Sequence, residues 1–257
     1  MIKRILAPNP SLYTGPGTNT YLIVSGGEAL VLDPGPVLEV HAIEIVKALE
    51  DLTPVGVIAT HTHPDHAPLA NPLGAQLGVP VYGYRPGPDF VPDITIGDGQ
   101  GIRFGSRELV AVHTPGHTPD HLCFQLGDVL FTGDHIMGGS TVVLEDASDY
   151  LASLYLVKEL DVRRLEPGHG DAMDDAAAVI DDYIDHRLER ESQIVEAVSL
   201  GAGTVGDIVD VVYAGIPAGL RHAAVHQVGV QLTKLNREGA VSFPAGSAEE
   251  ETEVRLR

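Results

Sequence analysis

Thr60-His61-Thr62-His63-Pro64-Asp65-His66 is the stretch on which the reading of this chain turns. Three imidazoles and one carboxylate fall within six residues, directly after the apolar run Val55-Gly56-Val57-Ile58-Ala59. That run is short, rich in β-branched residues and preceded by Pro54, the pattern of a buried strand. A chain that leaves a strand extended projects residues two apart to the same side, so His61 and His63 share one spot. Pro64 fixes φ and turns the chain, which aims Asp65 and His66 a short distance away. Two imidazoles with an Asp/His pair beside them can hold two metal ions. Nitrogen and carboxylate ligands suit Zn²⁺, with Fe or Mn as alternatives. A lone histidine is usually a surface residue. Four ligand-type side chains at this spacing, at a strand's end, are not explained as solvated surface.

The same punctuation recurs along the chain. The strand-like runs Thr20 to Val24 and Ala29 to Leu32 are joined by Ser25-Gly26-Gly27, a hairpin signal, and the second ends in Asp33-Pro34-Gly35. Asp33 is either a turn initiator or a carboxylate that supports the ligands from behind. The strand Arg107 to Val112 ends in His113-Thr114-Pro115-Gly116-His117-Thr118-Pro119-Asp120-His121. Its prolines and glycine forbid a helical ligand face, so His117, at the apex of the turn, is the ligand candidate, and His113 and His121 take packed or supporting roles. Leu122 to Leu126 and Val129 to Phe131 form the next hairpin, which runs into Thr132-Gly133-Asp134-His135. There Asp134 stands at a strand end, and His135 is ambiguous. Arg163 to Glu166 leads into Pro167-Gly168-His169-Gly170. Turns at the ends of strands place residues from distant sequence at one edge of a sheet assembly, which is how a rigid site is built.

Helices are expected at His41 to Leu52, with Ile43, Val46 and Leu49 inward, at Leu69 to Leu77 before Gly78, and at Ser148 to Leu160. His41 and His186, on helical segments, are expected at the surface. The Pro/Gly-rich Arg85 to Pro92 loop is placed to wall a substrate pocket.

Composition narrows the classes. With 257 residues and 44% hydrophobic content the chain can build one large domain and a small module around Val, Leu, Ile and Ala. Its 16 basic and 36 acidic residues give a net charge of −20, which opposes non-specific binding to nucleic acid or anionic membrane. The single Cys123 excludes an internal disulfide and fits a reducing compartment. No window is long enough to span a membrane, so a soluble cytoplasmic protein is expected.

Taken together, the motifs resemble the metallo-β-lactamase superfamily, which carries His-x-His-x-Asp-His, then a Thr-Pro-Gly-His-Thr turn, an Asp and a Gly-His, in that order. The resemblance implies an αββα sandwich with two metals at the sheets' edge. It assigns His61, His63 and His117 to the first metal and Asp65, His66 and His169 to the second, with Asp134 bridging and Asp33 in support. Gly15 to Tyr21, the Thr114 to His121 run, Gly139 to Val142, Glu145 to Leu154 and the C-terminal region are similar to the lactamase-β-like protein 2 branch, whose animal mitochondrial member cleaves single-stranded RNA. Lactamases of the broadest-spectrum class carry Cys where Asp134 stands. The C-terminal basic cluster of glutathione-thioester hydrolases is missing, and a β-CASP insertion has no room.

The domain reading is residues 1–175 catalytic, 176–245 helical and winged-helix-like, and 246–257 an acidic, disordered tail. Asp174 to Leu200 is helical, Thr204 with Asp207 caps a helix over Val205 to Val212, and Leu220 to Arg237 is followed by a short strand at Ala240 to Phe243. A winged helix suggests nucleic acid, but residues 176–257 hold 7 basic and 13 acidic residues, with Arg221, Lys234 and Arg237 the main cations on the candidate reading helix. A lid or dimerisation element is favoured, and a homodimer is compatible with this.

The expected function is a dinuclear metal-dependent hydrolase, with two Zn²⁺ per chain and a metal-bridging hydroxide as nucleophile. Metal binding lowers the pKa of water from about 15.7 to about 7. Asp65 orients the nucleophile or relays a proton, and Asp134 joins the metals. A small ester, thioester or lactone is the first-ranked substrate, with weak β-lactam hydrolysis as a side activity. The alternatives are a single-strand endoribonuclease and a mononuclear iron persulfide dioxygenase.

Overall fold

The structure, a computed structural model, describes residues 1–138, 141–244 and 248–257. Gly139 and Ser140, and the start of the expected tail at Gly246, lie outside the described residues. The first sheet is built from β1 (Ile2–Leu6), β2 (Asn19–Ser25), β3 (Glu28–Leu32), β4 (Thr53–Ile58), β5 (Val81–Gly83) and β6 (Ile94–Thr95), paired in that order. Helices α1 (Glu39–Ala48) and α2 (Ala70–Leu77) provide the crossovers that make β3, β4 and β5 parallel. Gly78 closes α2 at φ 69°, a left-handed conformation that glycine adopts without a Cβ penalty.

The second sheet holds β7 (Gly101–Phe104), β8 (Arg107–His113), β9 (Leu122–Leu126), β10 (Val129–Gly133) and β11 (Arg164–Pro167), in the order β11-β10-β9-β8-β7. Helix α3 (Ala147–Lys158) connects β10 to its parallel neighbour β11. Strand periodicity sorts the side chains into three cores. Tyr21, Ile23, Leu32 and Ile58 face Phe104, Phe124 and Phe131 between the sheets. Leu22, Val31 and Val57 pack outward on Ile45 and Leu73 of the first helix pair. Val112, Leu130 and Leu165 pack outward on Tyr150 and Leu154 of α3 and on Ile180 and Ile184 of α4 (Ala176–Ser199). The layering is αββα.

Helix α4 is long enough to serve a second core. Ile194, Ala197 and Val198 at its far end pack with α5 (Val205–Val212), α6 (Arg221–Arg237) and Val241 of β12 (Val241–Ser242). Thr204 and Asp207 form a complete capping box at the start of α5, as their spacing predicts.

Two expectations are corrected, one strand is added and one charge reading is refined. His41 is fully buried, and the inner face of α1 is His41, Ile45 and Leu49, while Ile43 is exposed. The apolar pattern admitted either phase. A buried bond decides between them: Thr20 Oγ1 donates to the Asp33 carbonyl at 2.7 Å and accepts from His41 Nε2 at 2.8 Å. Second, β1 escaped notice because its Lys3 and Arg4 mask a strand that is charged in the manner of a sheet edge. Third, residues 248–257 are not a disordered tail. Arg255–Leu256 forms β13 paired with β12, Val254 is buried in the C-terminal core, and Glu250 pairs with Arg221. The acidic composition hid one inserted valine and one matched charge. Fourth, Arg221, Lys234 and Arg237 are not a free basic face. Arg221 pairs with Asp210 and Glu250, Lys234 is buried against Glu191 and Glu238, and Arg237 reaches Asp146.

Asp146 does two jobs. Its Oδ1 accepts the Ser148 and Asp149 amides as the N-cap of α3, and its Oδ2 accepts from Arg237 of α6. Burial acts to raise its pKa, but Arg237 and the two amides outweigh this and hold it below 3.8. A depressed folded pKa means the stabilisation is present above pH 3.8 and is lost as pH falls through the folded value. Asp146→Ala should lower stability by about 1 kcal/mol at pH 6 from the cap alone. Asp146→Asn, which keeps a capping oxygen, should lose only the ion pair and its pH dependence. Urea melts at pH 6 and pH 3 check this: the gap between wild type and Asp146→Asn should shrink at pH 3.

Candidate metal centre

Every element that delivers a site residue ends at the same edge. β3 and β4 run parallel, so Asp33 and the His61 to His66 segment leave the first sheet on one side. In the second sheet β8 and β10 point the same way, each antiparallel to β9, and β11 is parallel to β10. His117, Asp134 and His169 therefore follow strands that end together. Gly168 is required there, because a Cβ would sit 2.7 Å from the His66 ring and 2.8 Å from Asp134 Oδ1.

All seven residues expected as ligands converge. One donor atom each from His61, His63, His117 and Asp134 lies within 4.8 Å of the others, and the same holds for Asp65, His66 and His169. In the first group His63 Nδ1 lies 2.9 Å from His61 Nε2 and 3.0 Å from His117 Nε2. Asp134 stands between the groups. Its Oδ2 is 3.6 Å from His117 Nε2, and its Oδ1 is 3.3 Å from both His66 Nε2 and His169 Nε2. Asp65 Oδ2 is 3.1 Å from His169 Nε2.

Partners behind the rings fix which nitrogen faces inward. Asp33, itself at φ 49°, accepts the Thr60 amide on Oδ1, and on Oδ2 it accepts Thr60 Oγ1 and the Nδ1–H of His66. Thr60 Oγ1 has given its hydrogen to Asp33, so it accepts from His61 Nδ1 at 3.0 Å. His117 Nδ1 donates to the Val143 carbonyl at 2.6 Å and His169 Nδ1 to Gly17 at 3.2 Å. Each of these four rings thus turns its Nε2 toward the centre. His121, expected in a supporting role, is buried and accepts the Asp134 amide on Nε2. His113 stacks on Tyr84, and His135 is buried with neither ring nitrogen bonded to a described residue.

The electrostatics follow from that crowd of lone pairs. Burial pushes the pKa values of His61 and His63 down, His63 to about 4. Burial also disfavours charge on His66 and His169, but the Asp134 and Asp65 carboxylates outweigh it, raising His66 and carrying His169 to about 9. Burial would raise Asp65, yet His66 and His169 hold it at about 2. Among the described residues, Asp134 Oδ1 is buried and has only the Nε2 atoms of His66 and His169, each at 3.3 Å, in front of it. A buried carboxylate faced by imidazole nitrogens calls for positive charge between them, as protons on those rings or as a bound cation. The donor set, nitrogen with carboxylate oxygen, fits a divalent metal.

The cavity above these groups is about 740 Å³. Its walls correct a further expectation: the Arg85 to Pro92 loop is not among its lining residues. They come from residues 11–14, the segment 141–145 and two residues of the C-terminal module, Leu220 and His226. That segment is strapped from both sides. Arg187 donates to the Val142 carbonyl, His226 and Gln227 donate to Leu144, and the Glu145 and Asp146 amides donate to Gly116. Residue pattern alone does not mark it as a cavity wall.

Residues 13–86 and 68–169 match the family model described as metallo-beta-lactamase superfamily, and residues 204–247 match the beta-lactamase associated winged helix domain. The chain belongs to the metallo-β-lactamase superfamily of hydrolases, with a winged-helix domain after the catalytic fold. It is 33% identical over 258 residues to the beta-lactamase-like protein 2 homolog of Caenorhabditis elegans, covering 95% of this chain and 86% of that protein. It is also 33% identical, over 94% of this chain and 83% of the relative, to the atrochrysone carboxyl ACP thioesterase of Aspergillus chevalieri. A beta-lactamase domain protein from Burkholderia ambifaria superposes over 100% of this chain and 91% of its own, with TM-score 0.84 at 19% identity. No helix among the described residues is long and apolar enough to cross a membrane.

Asp33 offers a test that spares the converging atoms. Asn tolerates the left-handed backbone at this position, whereas Ala there costs about 1–2 kcal/mol. Both substitutions remove the carboxylate that orients His66. Chelator-competition titration of a divalent metal should show affinity about 10–100-fold lower in Asp33→Asn, and Asp33→Ala should also unfold earlier. Unchanged metal affinity in Asp33→Asn would mean that the His66 ring is held by packing alone.

Proposed function

We propose that this chain is a two-metal hydrolase of small neutral esters, thioesters or lactones, with Zn²⁺ as the metal. His61, His63 and His117 would hold one ion and Asp65, His66 and His169 the other, with Asp134 placed between the two groups. The observation that carries the reading is the two-sided placement of Asp134 between two groups of inward-facing donors at the floor of one cavity. When bound, the metal pair supplies Lewis acidity and a water-derived nucleophile at neutral pH.

The chain's own residues do the rest. Asp134 and the buried imidazoles fix the floor, and the supporting bonds from Asp33, Val143 and Gly17 keep the rings from turning. Asp65, the ligand-type carboxylate with the most exposed side chain, borders the cavity and accepts a proton and passes it to the leaving oxygen or sulfur. The walls hold no lysine or arginine among their described residues, while Asp65, Asp134 and Glu145 are acidic. Beyond the metal pair, the phosphates flanking a scissile phosphodiester would find no basic side chain among these lining residues, whereas a neutral ester or thioester needs none. The engaged α6 cations weigh against RNA in the same direction. The Aspergillus relative named a thioesterase supports an acyl substrate.

A panel of aryl esters, thioesters, β-lactams and single-stranded RNA, run on zinc-loaded protein, tests the reading. Neutral esters or thioesters should be cleaved, and Asp134→Asn should lower the rate at least about 10²-fold, since removing even a ligand's supporting partner costs 10–100-fold. RNA cleavage with every ester left intact would reverse the ranking.

A further inference from the structure

Two large apolar side chains stand in water beside the cavity. Leu12 is 80% exposed and Tyr13 61%. They are not on a slack segment. Ser11 Oγ accepts the Tyr13 and Thr14 amides at 3.1 and 3.0 Å, and Thr14 Oγ1 donates to the Asn9 carbonyl at 2.6 Å. The turn therefore presents both side chains on a fixed backbone. The same cavity is lined by Leu220, at the start of α6, together with Met137 and Leu144. About 740 Å³ is far more room than an acetyl group needs and falls in the range of clefts that take a drug-sized ligand. Apolar surface left exposed on a rigid turn, continuous with a half-apolar cleft, marks a place where something apolar binds.

We propose that the cleft between Leu12–Tyr13 and Leu220 holds the acyl side of the substrate, as an uncharged apolar chain or ring. Leu12, Tyr13 and Leu220 are then specificity-determining residues, and the winged-helix module acts as one wall of the binding site. This rests on the hydrolase reading above and narrows it. Away from the metal-facing floor, a chain carrying its own carboxylate or phosphate would meet Glu145 and no lysine or arginine among the lining residues, so charged acyl groups are disfavoured. The alcohol or thiol side leaves toward the open mouth, where its charge is unconstrained.

The test uses the metal-loaded full chain and uncharged p-nitrophenyl esters from acetyl to decanoyl, beside a matched ester ending in a carboxylate. A second readout is independent of turnover: calorimetric binding of N-alkylacetamides from ethyl to decyl. Both kcat/KM and affinity should rise about three- to fourfold per added methylene until the cleft is filled. The carboxylate ester should lag behind its neutral counterpart. Leu12→Ser, Tyr13→Ser and Leu220→Asp should each flatten the slope, and the first two replace exposed residues, so folding is spared. A flat wild-type profile, a preference for the carboxylate ester, or slopes unchanged in all three variants overturns the inference. If no ester is turned over but alkylacetamide binding still climbs with length, the hydrolase reading falls and the cleft stands. If esters are cleaved but binding is flat, the cleft falls and the hydrolase reading stands.

Discussion

Lone pairs crowd together at one edge of the sandwich, and most of the local structure exists to hold them there against mutual repulsion. Five imidazoles and two carboxylates turn donor atoms inward within a few ångströms of one another. Such an arrangement is costly unless positive charge sits among them, whether as protons on His66 and His169 or as metal. It also needs rings that cannot rotate away. The Asp33 carboxylate, the Thr60 hydroxyl and the carbonyls of Val143 and Gly17 meet that need, each reaching a ring from the side opposite the centre.

The parallel pairings β3–β4 and β10–β11, with β8 running the same way as β10 across β9, are what make convergence cheap. Parallel neighbours release their C-terminal turns on the same side, so four turns far apart in sequence meet without long loops. The apolar layers beneath are ordinary in composition. Tyr21 meets Phe131 edge-to-face at 5.1 Å between the sheets, a contact worth about 0.5–1.5 kcal/mol beyond burial. The rigidity that the metal groups require is thus borrowed from a core with no chemical role.

The site residues were legible because each carries two signals at once, a ligand-type side chain and a Gly/Pro turn at the end of an apolar run. Strand pairs with a tight connection, such as β2–β3 and β9–β10, were legible from alternation and turn chemistry. What stayed hidden was set by distant partners. The phase of α1 depends on Thr20 and Asp33, which no helical period reveals. The order of residues 248–257 depends on one valine and on Arg221. The cavity wall at 141–145 is irregular backbone whose bonding partners lie on α4 and α6 and in the turn at Gly116 and His117. Counting charges on α6 captured half of its electrostatics: the cations are few, but only the fold shows that Arg221, Lys234 and Arg237 are already occupied.

The strap has an evolutionary corollary. Val143 touches the His117 ring while its neighbour Leu144 is gripped by α6, so one short segment is answerable to two folding units. The strap offers main-chain carbonyls, so the side chains that must match it are His117 on one unit and His226 and Gln227 on the other. A recombinant that swapped the winged-helix module between distant members would inherit a mismatched grip and a loosened imidazole, even with every donor atom intact.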